Sequence, residues 1–491
     1  MNVLLLYPKH PDDTFWSFKH ALNLLNTKAV YPPLGLLTVA AMLPGEWNKR
    51  LIDLNVEELP DDEIRNMDMV FISAMSVQSK STLETIKKCK RFGKTIVAGG
   101  PLFLSREEEF DGVDHFILGE AEITLPDFLK DLKEGKTKRI YSSEEYPDLS
   151  TTPLPMWSLI NFKNYSTMPL QSSRGCPFDC EFCEIVVMNG RIPRTKSPEQ
   201  MIREIQSLHD AGWRGRVFIV DDNFIGNKTN AMSILTLLAE WQKRRNYPFT
   251  IQIQASIDLA THPELMKNMR EANFNQVFVG IETPNPDGLK ECDKRQNRKT
   301  NLEESIKIIN RHGLQVTAGF IVGFDSDPKN IFDLQINFIQ KTGIVIAMVG
   351  VLNALPGTRL WKRLKGENRV LGNTSGDNTN SETNIIPIMG MDELRSGYKK
   401  ILDEIYSKKN YYKRMTTFLR SYKPSAVPRI TKIDVITLLK TIWKMGIFSS
   451  GERILFWKLV TKTFFTKMRA FPDIIACIIL GFHFHIITKK S

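Results

Sequence analysis

The strongest constraint on this chain's fold is an alternation that occurs twice along it. Short apolar runs, each the length of one strand, are separated by longer mixed segments with a helical period. In residues 1–140 the apolar runs fall at 3–7, 50–53, 69–73, 95–98 and 115–118, with helical patterns such as 34–43 and 82–92 between them. Strands joined by helical crossovers lie parallel in one sheet covered on both faces, so 1–140 is predicted to be a doubly wound, Rossmann-like α/β domain. The second series has apolar runs at 168–172, 216–220, 250–254, 276–281, 316–322 and 345–352, separated by helical segments such as 198–210 and 229–242. Six such units predict a partial (β/α)6 barrel over 165–365. Between the two, residues 141–164 hold Pro147, Pro153 and Pro155 and read as a linker. Residues 366–385 are polar and read as a long loop. The rest, to 491, has a basic helical pattern.

Composition narrows the class. A chain of 491 residues, 42% hydrophobic and 25% charged, can bury sizeable cores, which excludes wholesale disorder. Six cysteines do not make a disulfide framework at this length. The first residues, Asn2-Val3-Leu4-Leu5-Leu6-Tyr7, read as a buried strand and not as a secretory start, so a cytoplasmic protein is expected. The net charge of +11 is uneven: residues 421–491 carry 12 Lys/Arg against Asp434, Glu452 and Asp473.

Ligands of doubly wound sheets bind outside the carboxyl ends of the strands. In the first domain those ends run into Tyr7-Pro8, Asp53-Leu54-Asn55, Ala74-Met75-Ser76, Gly99-Gly100-Pro101 and Gly119-Glu120. Ser76, Gly99, Gly100, Gly119 and Glu120 are therefore candidate ligand-binding residues. The two adjacent glycines are equally consistent with a tight turn.

Directly after the first apolar run of the second series comes Arg174-Gly175-Cys176-Pro177-Phe178-Asp179-Cys180-Glu181-Phe182-Cys183. Thiolates are soft ligands that suit zinc or iron–sulfur clusters. Three of them with no fourth Cys or His nearby argue against a closed structural zinc site. A cubane cluster held by three thiolates leaves one iron with an open position.

This Cys-x3-Cys-x-aromatic-Cys pattern at the start of a partial barrel resembles the radical S-adenosylmethionine (SAM) superfamily. The resemblance implies that Cys176, Cys180 and Cys183 ligate a [4Fe-4S] cluster, that SAM binds its open iron, and that Phe182 flanks the adenine. Gly319-Phe320-Ile321-Val322-Gly323 resembles the superfamily's Gly-x-Ile-x-Gly segment, which implies that Gly319, Ile321 and Gly323 lie near the adenine, with Asp327 as the acidic residue that follows. Glu282, in Gly280-Ile281-Glu282-Thr283, resembles the polar residue that contacts SAM, although a salt bridge to Lys294 would also account for it. Asp221 and Asp222, which end the second barrel strand, suit acid–base work or helix capping.

A Rossmann-like domain ahead of such a barrel resembles the cobalamin-binding class, and Tyr31-Pro32-Pro33-Leu34-Gly35, Gly119-Glu120-Ala121-Glu122 and Gly226-Asn227-Lys228 are similar to it. The closest similarity is to the hopanoid C2-methylase-like subfamily with its C-terminal extension, where Tyr411-Tyr412-Lys413-Arg414 lies. The first domain lacks Asp-x-His-x-x-Gly. Its only imidazoles, His10, His20 and His115, lie in other settings, so a corrinoid without a histidine ligand is implied. The implied activity is cobalamin-dependent C-methylation of an unactivated carbon in a small-molecule or lipid substrate, fed by an electron donor such as flavodoxin or ferredoxin. A radical SAM rearrangement or cyclisation is the alternative within the class, and RNA binding through the basic tail is the alternative outside it. The tail contains no recognised RNA-binding module, so nucleic acid is not expected as a partner.

Residues 434–448 and 453–468 mix Lys/Arg with Ile, Leu, Phe and Trp. They read as basic amphipathic helices for peripheral contact with the inner face of the cytoplasmic membrane. The apolar run at 474–482 is too short to span a bilayer, which takes about 20 residues. Cys89, Cys292 and Cys477 read as packing or surface thiols, and His209 and His312 as structural.

Overall fold

The computed structural model describes residues 1–491 apart from 16, 105, 378, 380, 425–430, 450, 490 and 491. The first alternating series forms one sheet from β1 (Asn2–Tyr7), β2 (Asn48–Asp53), β3 (Met69–Ser73), β4 (Thr95–Gly99), β5 (His115–Ile117) and β6 (Ile140–Tyr141). The order is β2-β1-β3-β4-β5-β6, and every neighbouring pair is parallel. Sequence periodicity yields five of these strands. The sixth is two residues long, has no apolar run of its own, and is placed only by pairing Phe116 with Ile140 and Ile117 with Tyr141. Both faces of the sheet are covered. Along β1, Val3 and Leu5 enter one core while Leu4 and Leu6 enter another on the opposite side, as the two-residue period of a strand requires.

The second series forms a six-stranded parallel sheet from β7 (Thr167–Leu170), β10 (Gly215–Ile219), β11 (Phe249–Gln254), β12 (Phe274–Glu282), β13 (Gln315–Val322) and β14 (Ala347–Val351), adjacent in that order. Helices such as Pro198–Asp210 and Lys228–Arg244 cover its outside. Along β12, Val277, Val279 and Ile281 face the outer core, whereas Gln276, Phe278, Gly280 and Glu282 line the lumen. A small antiparallel pair, β8 (Ser173–Arg174) and β9 (Arg194–Thr195), brackets the cysteine segment. Two-residue strands leave no periodic trace, so the sequence does not reveal it.

Beyond the barrel, the helices Met391–Ile405 and Lys408–Ser421 pack on the barrel helix Ile331–Thr342. The tyrosine–arginine motif anchors them. Arg414 is fully buried, donates to the carbonyls of Ile405 at 2.7 Å and Val345 at 3.0 Å, and lies over the rings of Tyr406 and Tyr411. Tyr411 donates to the Cys477 carbonyl at 2.6 Å, and so fixes the last helix, Phe471–Ile487. This helix plugs the amino-terminal end of the barrel. Its Asp473, Ala476 and Cys477 share the cavity wall with Arg216, Asn275 and Gln315, which lie at the starts of β10, β12 and β13. By length and composition Met468–Ile487 suffices to cross a membrane, but 56% of its apolar window is buried inside the protein.

Candidate active site

A cavity of about 1230 Å³ lies between the strand ends of the first domain and the barrel lumen. Tyr7, His10, Asn55, Ala74, Met75 and Pro101 wall it on one side, all at or just beyond the carboxyl ends of β1–β4. Phe182, Glu282, Gly319 and Ile321 wall it on the other. Thr374 and Gly376 of the polar loop close part of the rim. The location is the one an open α/β sheet prescribes, beside the switch point between β1 and β3.

The cysteine segment is held from beneath by the two aspartates after β10. Asp222 accepts from the Gly175 N–H at 2.9 Å and from Asn189 Nδ2 at 3.0 Å. Asp221 is fully buried and accepts from the Ser172 N–H at 2.6 Å and the Ser173 hydroxyl at 2.8 Å. Neither carboxylate reaches the cavity wall, so both position the chain around Cys176, and neither is placed for proton transfer. Burial raises the pKa of all three thiols, Cys183 to about 12, and charge on one opposes ionisation of the next. Three such thiolates need a cationic centre among them, which fits an iron–sulfur cluster. Among the described residues no three His, Cys, Asp or Glu side chains close around a single ion. A cubane presents separate irons at its corners, so its ligands need not converge on one point.

Glu282 closes the cavity rim at a bulge, where the β12–β13 register shifts between Gly280 and Glu282, and its φ is +63°. Its carboxylate pairs with Lys294 Nζ, which lies 5.9 Å from the centre of the Phe182 ring. Burial is the largest influence and opposes the lysine's charge, but Glu282 together with Cys180 and Cys183 outweighs it and holds the Lys294 pKa above its ordinary value. A side chain at position 280 would meet the charged ends of this pair and force them to shift. Gln296 Nε2 stands 3.9 Å from Cys180 Sγ.

Asp327 is not on the wall. It accepts from the N–H groups of Gly323 and Phe324 at 2.9 and 3.0 Å and so shapes the turn after β13, with burial pushing its pKa up to about 7. Gly323 is also set back from the cavity. In the first domain Ser76, Gly99, Gly100, Gly119 and Glu120 lie off the wall, while Ala74, Met75 and Pro101 lie on it. Gly100 adopts φ +93°, and a Cβ there would approach Ser73 Oγ to 2.6 Å, so its role is the turn that delivers Pro101. Glu120 joins the two domains: it pairs with Arg194 at 2.5 Å and with Arg174, while Glu122 pairs with Arg174 at 2.8 Å. This clamp grips both strands of the β8–β9 pair. The sequence displays Glu120, Glu122 and Arg174 in separate motifs but not their pairing.

Of the three imidazoles in the first domain, His10 reaches the wall. Its Nδ1 is buried without a partner and burial lowers its pKa to about 4. An open set of strand ends with an unsatisfied polar atom fits a large polar cofactor such as a corrinoid. Cys89, Cys292 and Cys477 are buried, and Cys477 accepts from Gln315 at 3.1 Å. His312 Nδ1 lies 2.8 Å from the Ile308 carbonyl and His209 packs edge-on to Trp241, both in structural settings.

Three family models match successive parts of the chain: the B12 binding domain over residues 21–129, the radical SAM superfamily over 170–334, and a domain of unknown function over 358–491. An uncharacterized methyltransferase of Synechocystis sp. is 41% identical over 464 residues, 93% of this chain and 86% of that protein. The hopanoid C-2 methylase of Rhodopseudomonas palustris is 31% identical, over 94% of this chain and 89% of its own. Two solved structures share the fold. The cobalamin-dependent radical enzyme OxsB, with aqua-cobalamin and S-adenosylmethionine bound, aligns with a TM-score of 0.64 at 15% identity, covering 100% of this chain and 79% of its own. The methyltransferase TsrM from Kitasatospora setae, with cobalamin and a [4Fe-4S] cluster, aligns with a TM-score of 0.61 at 13% identity, covering 94% and 98%. With a cysteine trio at the mouth of a half-barrel, a B12-type sheet facing it and close relatives matched nearly end to end, the chain belongs to the cobalamin-dependent radical SAM methyltransferase family, whose cofactors are a [4Fe-4S] cluster, S-adenosylmethionine and cobalamin.

Proposed function

We propose that the protein methylates an unactivated carbon of a lipid-like substrate. The observation that carries this reading is the single chamber shared by the two cofactor-bearing walls. Phe15, Phe18, Leu22 and Leu25 add an apolar side to it, which suits an apolar substrate better than a charged one. The similarity to a hopanoid C-2 methylase supports the same class.

When bound, the cluster and SAM supply a 5′-deoxyadenosyl radical, and the corrinoid supplies a transferable methyl group. Cys176, Cys180 and Cys183 would hold the cluster. Phe182, Glu282, Gly319 and Ile321 would shape the SAM side, with Lys294 pairing with Glu282 in its buried setting. Tyr7, His10, Asn55 and Met75 would face the corrinoid, while Gly100 and Ser73 hold the turn behind it. The Glu120–Arg174–Glu122 clamp keeps the two walls at a fixed separation. The barrel plug at Asp473 and Leu480 closes the far end against water, which a radical at an unactivated carbon requires. A small reduced iron–sulfur or flavin protein would deliver the electron.

The test is anaerobic reconstitution with iron, sulfide and hydroxocobalamin, followed by incubation with SAM, a reductant and a lipid extract. We expect 5′-deoxyadenosine together with a lipid product heavier by one methylene. Formation of 5′-deoxyadenosine with a product of unchanged or lower mass would overturn methylation in favour of a rearrangement or cyclisation. Absence of 5′-deoxyadenosine would overturn the radical reading itself.

A further inference from the structure

We propose that the C-terminal helical hairpin docks this protein on the anionic cytoplasmic face of a membrane and sets the wall of its cavity against the bilayer, so that an apolar substrate enters from the lipid. This rests on the lipid reading above.

Exposed apolar side chains are concentrated in one short region. Of the 24 large hydrophobic residues exposed among those described, 12 lie within residues 433–468. They form two stripes. Ile433, Ile436, Leu439, Trp443 and Ile447 recur every three or four residues along Lys432–Thr441 and the turn of π-helix that continues it to Ile447. Ile454, Trp457, Phe464 and Met468, spaced by three, seven and four residues, share a face along Arg453–Thr466 and just beyond it. The opposite faces are used in packing: Thr437, Thr441 and Met445 on the first helix, and Phe456, Leu459, Val460 and Thr463 on the second, are buried. A contiguous apolar surface of this kind marks an interaction site, because water does not favour leaving it open. Trp443 is 62% exposed and packs against Phe448, at 4.7 Å between ring centres, near the hairpin tip. Amphipathic aromatic rings favour the level of the lipid headgroups.

Charge identifies the partner. Lys432, Lys444, Arg453, Lys458, Lys462 and Arg469 are exposed on these two helices and their flanks. The one exposed acid there, Asp434, is held by Thr431 in a capping box. Glu452 and Asp473 turn inward, where they accept from the hydroxyls of Tyr412 at 3.1 Å and Tyr422 at 2.8 Å. An apolar stripe bordered almost wholly by cations complements an anionic bilayer. A protein partner burying such stripes would need acids to match. A second copy of this chain would set the same cations against one another.

The geometry supplies the route. Helix Lys432–Thr441 packs on helix Lys19–Leu25, with Thr437 Oγ1 donating to the Leu24 carbonyl at 3.4 Å and Lys440 bonded to Asn26. The same short helix contributes Leu22, Asn23 and Leu25 to the cavity wall. Helix Lys19–Leu25 thus touches both the docking helix and the chamber. Asn26 ends this helix in the left-handed conformation usual for such a cap, whereas Phe18 at its start, φ 46°, is a bulky residue in a region that disfavours it. The entry to the 19–25 segment is therefore the strained part of the wall, and the part suited to move.

The test uses the full-length, cofactor-loaded protein and the triple variant Trp443→Glu/Phe448→Glu/Phe465→Glu, whose side chains are all exposed. Both are sedimented with vesicles of phosphatidylglycerol mixed with phosphatidylcholine and with pure phosphatidylcholine, at low and at high salt. We expect the parent protein to bind the anionic vesicles at least about tenfold more tightly than the neutral ones, with the preference lost at high salt, and the variant to lose binding to both. Circular dichroism and corrinoid content show that the variant is folded and loaded. Methylation of vesicle-embedded lipid should fall in the variant while methylation of detergent-dispersed lipid holds. Equal sedimentation of parent and variant, or no vesicle binding by the parent, overturns docking. So does a parent dimer in solution that the variant dissociates, since a second copy would then cover the face. If docking fails while detergent-dispersed lipid is still methylated, the lipid reading survives. If no lipid is methylated in either form, the lipid reading itself fails.

Discussion

Substitution of Lys294 by methionine isolates a buried ion pair on the SAM side of the cavity. Lys294 and Glu282 have side chains only 11% and 9% exposed. Removing the cation leaves a carboxylate buried without a counter-charge, at the end of a strand already distorted by a bulge. Breaking a buried pair in this way costs about 3–5 kcal/mol. Unfolding entropy is roughly 2.1 cal/mol/K per residue, so if the whole chain unfolds together one kcal/mol moves the midpoint by about 1 °C. The apoprotein of Lys294→Met should therefore unfold about 3–5 °C below the parent in a thermal scan. Glu282→Gln should lose a comparable amount, because it strands the lysine instead. The decisive arm is the double variant Glu282→Gln/Lys294→Met. With both charges gone it should recover most of the loss, giving a coupling of about 3 kcal/mol in the cycle. Strictly additive losses would show that the two side chains do not share their energy. The account of how Glu282 is held at the rim would then be wrong.

Replacing Cys176, Cys180 and Cys183 together by alanine should abolish bound iron and sulfide and all formation of 5′-deoxyadenosine, with circular dichroism unchanged because the trio lies at the barrel mouth and not in its core. Asp53 is buried, which pushes its pKa up to about 6 even though Asn55 and Tyr165 bond to it. A raised carboxyl pKa means that the folded protein binds the proton more tightly. The stability it lends is present below the ordinary pKa of about 4 and is lost as pH rises to about 6, a change of about 3 kcal/mol. Denaturant midpoints should accordingly rise for Asp53→Asn relative to the parent between those limits, and a constant gap would refute the assignment. Gly100→Ala should weaken corrinoid uptake and cost about 1–2 kcal/mol, because the left-handed turn and the Ser73 hydroxyl leave no room for a methyl group. Unchanged hydroxocobalamin binding by absorption would refute it.

Most of the strands and the cluster ligands were legible without a structure because both are local. A buried strand between crossover helices reads as a short apolar run, so the alternation at residues 3–118 and 168–352 foretold two parallel sheets. Three cysteines within eight residues stay together whatever the rest of the chain does. Partner choice over long range was not legible. Hydropathy says that residues 474–482 should be buried but not against what, and only the packed barrel shows them forming a plug beside Arg216 and Gln315. The pair Asp221-Asp222 looks like acid–base chemistry in sequence. The tertiary structure turns both carboxylates away from the cavity, toward the Ser172, Ser173 and Gly175 segment some fifty residues earlier. Glu120 reads as a cofactor ligand at a strand end, yet it is drawn instead to Arg174 and Arg194 once the two domains meet. A side chain's chemistry is set by its sequence, but its role depends on which charge lies within a few ångströms, and here that charge comes from another domain.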